Sequence, residues 1–391
     1  MSELLESRWS DTKNALLEGL QGNKKSVMSA TLENTRKYLS EAAGAGATSA
    51  GNVATLNRVI LPVIRRVMPT VIANELVGVQ PMTGPVGQIH TLRVRYADDM
   101  TAANSDNTTA GEEALSPFKI AEAYAGDGDA GKAAATSALE GAAGRKLSIQ
   151  ILKQTVEAKT RKLSARWTFE AAQDAQSMHG IDVEAEIMAA LAQEITAEID
   201  QEVIGSLVTL SGTAAQTYDQ TAVSGTATFV GDEHAALAVQ INRVSNLIAQ
   251  RTRRGAGNWA VVSPFALTIL QSATTSAFAR TTEGSFEAPT NTKMVGTLNN
   301  AMKVYVNTYA ADTAPVLIGY KGSSESDAAA FYCPYIPLMS SGVVLDPGTF
   351  EPTVSFMTRY GYVELNNTAS SLGNAADYLG KVDIAAGVTF S

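Results

Sequence analysis

The sequence predicts an α+β fold on three observations: short runs that alternate like strands, two long helical runs with no regular βαβ repeat around them, and enough apolar residues for real cores. Of 391 residues, 45% are hydrophobic and 18% charged, which suits a folded chain of two or three domains and excludes a disordered one. Residues 1–41 mix acid and base densely. Leu4, Leu5, Trp9, Leu16, Leu17 and Leu20, then Leu32, Arg36 and Leu39, fall near helical spacing, so two short amphipathic helices in a separable segment are expected. Residues 42–51 are only Ala, Gly, Ser and Thr, a flexible linker open to proteases. An apolar helix-like run covers residues 59–79, and residues 91–96 alternate as a half-buried strand. Residues 97–143 are acidic and poor in large apolar side chains, the marks of an extended arm or flap. Residues 161–169 alternate again, with Leu163, Ala165, Trp167 and Phe169 on one face. Asp182 then opens a helix of six or seven turns, about 40 Å long, whose Ile187, Leu191, Ile195, Ile199, Val203 and Leu207 form an i+4 ladder. A second helix is expected over about 233–251, followed by the basic turn 251–255 and a short buried strand at 259–262. Ser263-Pro264 supplies an N-cap and a first helical residue. Strands follow at 302–309, 316–320, 331–335 and 352–363.

Several function classes are excluded by what these residues lack. The most apolar stretch, residues 58–79, is broken by Pro62, Arg65, Arg66 and Pro69, so no membrane-spanning helix is expected. The N-terminus lacks a basic start followed by an apolar core, and the single Cys333 cannot form an internal disulfide, which points to synthesis in a reducing cytoplasm. A net charge of −9 argues against a dedicated DNA-reading domain and leaves room only for weak, non-specific contact with nucleic acid. His90, His179 and His234 stand apart, with no ligand spacing around them, so no metal is implied. No G-x-S-x-G elbow occurs, and Cys333 within Phe331-Tyr332-Cys333-Pro334-Tyr335 reads as a small buried thiol in a strand. Gly126-x-Gly128-x-x-Gly131 matches a dinucleotide fingerprint, but no strand precedes it and Asp127 and Asp129 would repel a pyrophosphate. Those two aspartates lack the remaining ligands of a calcium loop. No catalytic residue and no cofactor is expected.

The informative feature is charge segregation. No Lys or Arg occurs from Trp167 to Asn242, while Asp182, Glu184, Glu186, Glu194, Glu198, Asp200 and Glu202 load the long helix. Just before it, Arg145, Lys146, Lys153, Lys159, Arg161, Lys162 and Arg166 are opposed only by Glu157. Like charges three and four apart weaken a helix by a few tenths of a kcal/mol per pair. Compensation from the preceding strand, compensation from a neighbouring subunit in a repeating head-to-tail contact, and a merely solvated acidic face all remain open.

Residues 156–167 (VEAKTRKLSARW), Glu170-Ala171-Ala172-Gln173-Asp174 and residues 179–186 (HGIDVEAE) resemble the major capsid protein of T-even-type tailed phages. So do residues 78–96 (GVQPMTGPVGQIHTLRVRY), 254–258 (RGAGN), 319–322 (GYKG), 331–338 (FYCPYIPL) and 346–362 (DPGTFEPTVSFMTRYGY), in the family's order. The resemblance implies the tailed-phage capsid fold of the HK-ninety-seven type. Its expected parts are a scaffold-like segment at 1–41, an N-arm and start of the peripheral domain at 42–96, and an extended loop at 97–144. A peripheral domain with a long spine helix follows at 145–213, an axial domain at 214–330, and return strands to the peripheral domain at 331–391. The loop is shorter than in the T-even proteins, so their small inserted domain is expected to be absent.

The same resemblance implies a non-enzymatic shell subunit that forms hexamers, and pentamers unless a separate vertex protein makes them, around packaged double-stranded DNA. Scaffold, prohead protease, portal and decoration proteins are the expected partners, and the virion capsid, assembled in the bacterial cytoplasm, is the expected location. Removal of the N-terminal segment after a Leu/Ile-x-Glu sequence implies a cut between Glu41 and Ala42, behind Leu39-Ser40-Glu41. Arg161, Arg166, Glu194, Glu198, Glu202, Arg253 and Arg254 are the expected charge contacts between subunits. An encapsulin-like compartment shell and a cytoplasmic hydrolase are the rival readings; enzyme cargo would favour the first, a small discrete oligomer with a ligand pocket the second.

Overall fold

The structure, a computed structural model, describes residues 9, 13–14, 16–17, 22–44, 71–99, 108–112, 114, 124–126, 133–141, 144–179, 182–220, 230–252, 254–273, 278–280, 293–299, 301–324, 327–346, 348–349, 351–365 and 375–385. In chain order the elements are α1 (Gly22–Gly44), α2 (Ala73–Leu76), β1 (Gly78–Val79), β2 (Val86–Tyr96), α3 (Thr136–Leu139), β3 (Leu147–Glu157), β4 (Lys159–Arg166), α4 (Phe169–His179) and α5 (Val183–Leu210). They continue with β5 (Gln216–Tyr218), α6 (Val230–Thr252), β6 (Trp259–Val262), α7 (Pro264–Ser272), β7 (Phe278–Arg280), β8 (Lys293–Leu298), β9 (Met302–Val306), β10 (Val316–Gly319), β11 (Ala330–Ser340), β12 (Val344–Leu345), β13 (Pro352–Glu364) and β14 (Leu379–Ile384). The chain divides into two compact units. One comprises Met1–Gly87, Val156–Gly205 and Phe331–Val363, the other Gln88–Thr155, Ser206–Ala330 and Glu364–Ser391.

In the first unit, β13 is the organising strand. Its side chains alternate between buried and half-buried, and it pairs antiparallel with β4 from Thr353↔Arg166 to Tyr360↔Lys159. The sheet runs β1-β11-β13-β12, with β4 also on β13. β4 stops at Arg166 because its partner does: the Trp167 N–H already bonds the carbonyl of Pro352, the first residue of β13. The sequence pattern carried this strand to Phe169, but Phe169 opens α4, whose first turn is capped where the Ala171 N–H donates to Thr168 Oγ1 at 3.4 Å. α5 begins after Asp182, whose Oδ1 accepts the Glu184 N–H at 3.1 Å. Its 28 residues span about 42 Å at 1.5 Å per residue.

The N-terminal helix α1 is packed into the same unit. Val27, Met28 and Leu32 are buried, the Asn34 amide donates to the carbonyls of Met82 at 2.6 Å and Tyr335 at 3.3 Å, and Lys24 bonds Glu75 at 2.6 Å. α1 runs on through Glu41 to Gly44, past the point where the composition places a linker. Ala42 and Ala43 are strong helix formers, and the helix ends at a glycine. The remaining linker, residues 45–51, and most of the apolar run at 59–79 lie outside the described residues.

The second unit is built on a mixed sheet in the order β5-β14-β10-β6-β9-β8-β7. Leu237, Ile241, Val244 and Ile248 of α6, with Ala266, Ile269 and Leu270 of α7, form one buried cluster with Val262, Val304, Val306, Val316, Ile318 and Val382 of the strands. α7 is capped as its sequence predicts, the Ala266 N–H donating to Ser263 Oγ at 3.1 Å. The return expected of residues 331–391 is split: β11, β12 and β13 lie in the first unit, whereas β14 pairs with β10 and β5 in the second. The alternating burial of Val382 and Ile384 places it there. At the end of β10, Gly319 leaves no room for a side chain, because a Cβ would stand 2.1 Å from the Trp259 ring. Gly319→Ala is expected to destabilise the chain by about 1–3 kcal/mol, measured as a lowered midpoint in urea denaturation.

Candidate subunit-contact site

The acid–base pattern meets in the first unit. Arg161, on the half-buried face of β4, donates from Nη1 to Glu198 and from Nη2 to Glu202, the latter at 2.6 Å. These carboxylates are four residues apart on α5 and so share one face. The Arg161 Nε–H donates to the Tyr360 hydroxyl at 2.5 Å, and that hydroxyl donates to Glu202. The guanidinium also lies over the Tyr360 ring, 5.9 Å from its centroid. Strand pairing sets this up, since Lys159 is opposite Tyr360 and Arg161 opposite Thr358. Burial works against the charge on Glu202, but the bonds from Tyr360 and Arg161 outweigh it and hold the carboxyl below its ordinary range. Burial likewise opposes the charge on Arg161, and its bonds to Glu202 and Tyr360 raise its affinity for the proton.

Of the charges expected between subunits, Arg161, Glu198 and Glu202 are therefore engaged with one another inside the chain. Arg166 lies 3.6 Å from Glu351 with 72% of its side chain exposed. Glu194 is exposed on α5. Arg253 lies outside the described residues. Arg254, in the second unit, bonds Asp327 Oδ1 at 2.6 Å, where the Tyr378 hydroxyl also donates at 3.2 Å. Burial is the main reason the Tyr378 hydroxyl is pushed up to about 12.

Arg254 belongs to a small lattice that joins two sequence motifs of this unit. Asn258 donates to the Lys321 carbonyl at 2.6 Å and accepts its N–H at 3.0 Å, so RGAGN and GYKG are locked side by side. A Cβ on Gly255 would stand 2.6 Å from Tyr320, which accounts for the glycine. Cys333 is buried in β11, as its setting predicts, and burial pushes its thiol up to about 11. The expected cut at Glu41–Ala42 falls inside α1.

Sequence reasoning missed the surface that β2 and β3 form. The Ala97 N–H bonds the Lys146 carbonyl, which sets Tyr96 opposite Leu147, Val94 opposite Ile149 and Leu92 opposite Ile151 on one face of the ribbon. Leu92, Ile149 and Ile151 are 66%, 68% and 66% exposed, and Leu147 is 54% exposed. The odd-numbered apolar residues of 147–151 were the available signal, hidden under the basic residues that flank them. The described part of the acidic loop folds against this ribbon: the Ala114 N–H bonds the Val94 carbonyl, Tyr124 packs 4.6 Å from Tyr96, and the Tyr124 hydroxyl donates to the Lys146 carbonyl at 2.6 Å.

Comparison with known proteins adds the following. The model of the family described as major capsid protein Gp23 matches residues 53–384. The major capsid protein of Vibrio phage KVP40 is 30% identical over 416 residues, covering 83% of this chain and 80% of that protein. The major capsid protein of Enterobacteria phage T4 is also 30% identical, over 85% of this chain and 79% of its own length. Among solved structures, the capsid of Myoviridae phage XM1 overlays 81% of this chain and 92% of its own at 12% identity with a TM-score of 0.44.

The node yields a graded test. Arg161→Ala, which leaves Glu202 with one bond, is expected to cost about 2 kcal/mol. Glu198→Ala, whose carboxylate is mostly in water, should cost under about 1 kcal/mol. Because Glu202 ionises more readily when folded, the node's contribution is complete above the ordinary carboxylate range and fades as pH falls through the folded value. Urea midpoints between pH 7 and pH 3 should show that loss in the unsubstituted chain and a smaller one in Arg161→Ala, where the Tyr360 bond still favours the charged carboxylate.

Proposed function

The chain belongs to the Gp23 major capsid protein family, and from that premise we propose that it assembles as hexamers into a closed phage head around double-stranded DNA, maturing by cleavage and expansion. Its relatives are structural head proteins, not enzymes. The observation that carries self-assembly is the uncovered apolar face of the β2–β3 ribbon. A two-stranded ribbon is marginal in water by itself, and each large aliphatic side chain taken out of water contributes about 1.5–3 kcal/mol. Leu92, Ile149 and Ile151 therefore mark a face that a second copy of the chain covers in the shell. In the first unit, the exposed Glu194 and Arg166 supply charges of opposite sign for further contacts between copies. We retain the HK-ninety-seven-type arrangement as the fold in which these surfaces work, with scaffold, prohead protease and portal as the proteins that act on it.

Processing fits the same reading. The bond after Glu41 lies within one turn of the end of α1, where helices fray, so a protease gains Leu39-Ser40-Glu41 as an extended substrate by unwinding about the last two turns. Two outcomes test the proposal. Ile149→Asp with Ile151→Asp should leave a folded chain that sediments as a small species under conditions where the unsubstituted protein forms hexamers or shells. Coexpression with the prohead protease should give a subunit whose intact mass lacks residues 1–41, and Glu41→Gln should keep it full length.

A further inference from the structure

Asp200, near the middle of α5, is 1% exposed. One carboxyl oxygen accepts the Ile72 N–H at 2.8 Å, and the other is buried with no hydrogen-bond partner among the described residues. Ile72 stands at the start of α2, which has no side-chain cap of its own, so Asp200 ties that turn to the long helix. The next link leads outward, since Glu75 of α2 takes Lys24 of α1 at 2.6 Å. Among the described residues, the titratable group that feels Asp200 is Tyr332 on β11; Glu202 follows two residues later on α5, and Glu75 lies three residues after Ile72 on α2. Among the described residues no cation offsets the charge on Asp200: Arg161 is held by Glu198, Glu202 and Tyr360, and Lys24 by Glu75. A buried carboxylate with one bond and no counter-charge is costly, and the simplest relief is to take up a proton.

We propose that Asp200 is a proton-operated latch: with its proton it seats residues 71–76 and, through them, the N-terminal helix, and on losing the proton it loosens both. Burial pushes this carboxyl up to about 7, against a smaller opposite pull from the Ile72 bond. In the opened form the carboxyl meets water and returns to its ordinary range, so the closed form binds the extra proton. Closure is therefore firmest at acid pH, weakens as pH rises from about 4 to about 7, and changes no further above that. The use of such a latch in exposing Glu41 to a protease rests on the proposed removal of residues 1–41; the proton dependence itself does not.

Hydrogen–deuterium exchange on the full chain from pH 4 to pH 9 tests this. Rates for peptides spanning residues 71–77 and 22–34 are corrected for intrinsic chemistry and referenced to β6 in the same sample. Relative opening of residues 71–77 should rise by up to about tenfold per pH unit between about pH 4 and pH 7 and then level off, with residues 22–34 following. In Asp200→Asn both should stay flat, and in Lys24→Ala the rise should persist in 71–77 and vanish from 22–34. A flat profile in the unsubstituted chain, or a rise that survives Asp200→Asn, overturns the latch. If Asp200→Asn does not fold, the comparison with β6 decides alone. Failure of the protease to cut at Glu41 would defeat the processing proposal and leave this profile untouched.

Discussion

Arg161 reaches from β4 to two carboxylates of α5 while Tyr360 of β13 closes the contact from the next strand. Three elements far apart in the chain are pinned at that point. A helix with so many acids and no nearby base of its own would repel itself; one guanidinium, aimed by the pairing of β4 with β13, converts part of that repulsion into the bond between helix and sheet. The same geometry explains why the neighbouring acid, Asp200, behaves in the opposite way. It lies two residues before Glu202, which turns it away from Arg161 and into the interior, where only a backbone N–H meets it. Two carboxylates on one helix thus acquire opposite responses to pH from their angular positions alone.

Much of this was legible in the residues. Alternation marked β4 and β13, and the i+4 ladder marked α5. Ser263-Pro264 marked the start of α7, and the motifs that resemble phage capsid proteins pointed to the family. What could not be read was what faces what. The charge pattern left open whether the acids are met within the chain, met between chains or merely solvated, and the fold closes Arg161, Glu198 and Glu202 within one. Asp200 was indistinguishable from its neighbours because Ile195, Thr196, Ala197, Ile199 and Asp200 are all buried: the middle of α5 is enclosed on most sides, so a single apolar stripe no longer tells inside from outside. β14 was missed because Leu379–Ile384 is short and becomes a strand only by finding β10, some sixty positions earlier in the chain. Phe169 was assigned to a strand because alternation continues past the residue where the partner strand ends.

The motifs shared with the capsid family also gain a physical reading. RGAGN and GYKG look unrelated in sequence, yet Asn258 and Lys321 exchange two hydrogen bonds, and the glycines let Tyr320 and Trp259 lie against the backbone. These segments supply rigidity for the second unit. The ribbon of β2 and β3 has the opposite character, with its large aliphatic side chains turned outward.

The order of strands in the larger sheet has a consequence for synthesis. β14, late in the chain, lies between β5 and β10, so the sheet remains divided until residues 379–384 have been made. The smaller sheet likewise waits for β11 and β13. Until Leu379–Ile384 arrives, β10 keeps one edge unpaired and β5 has no neighbour in the sheet, and an open edge of that kind is a template for wrong pairing. A chain that stops before Leu379 is left with that edge of β10 open, so the order of synthesis and the order of strands in space are at odds by one late segment.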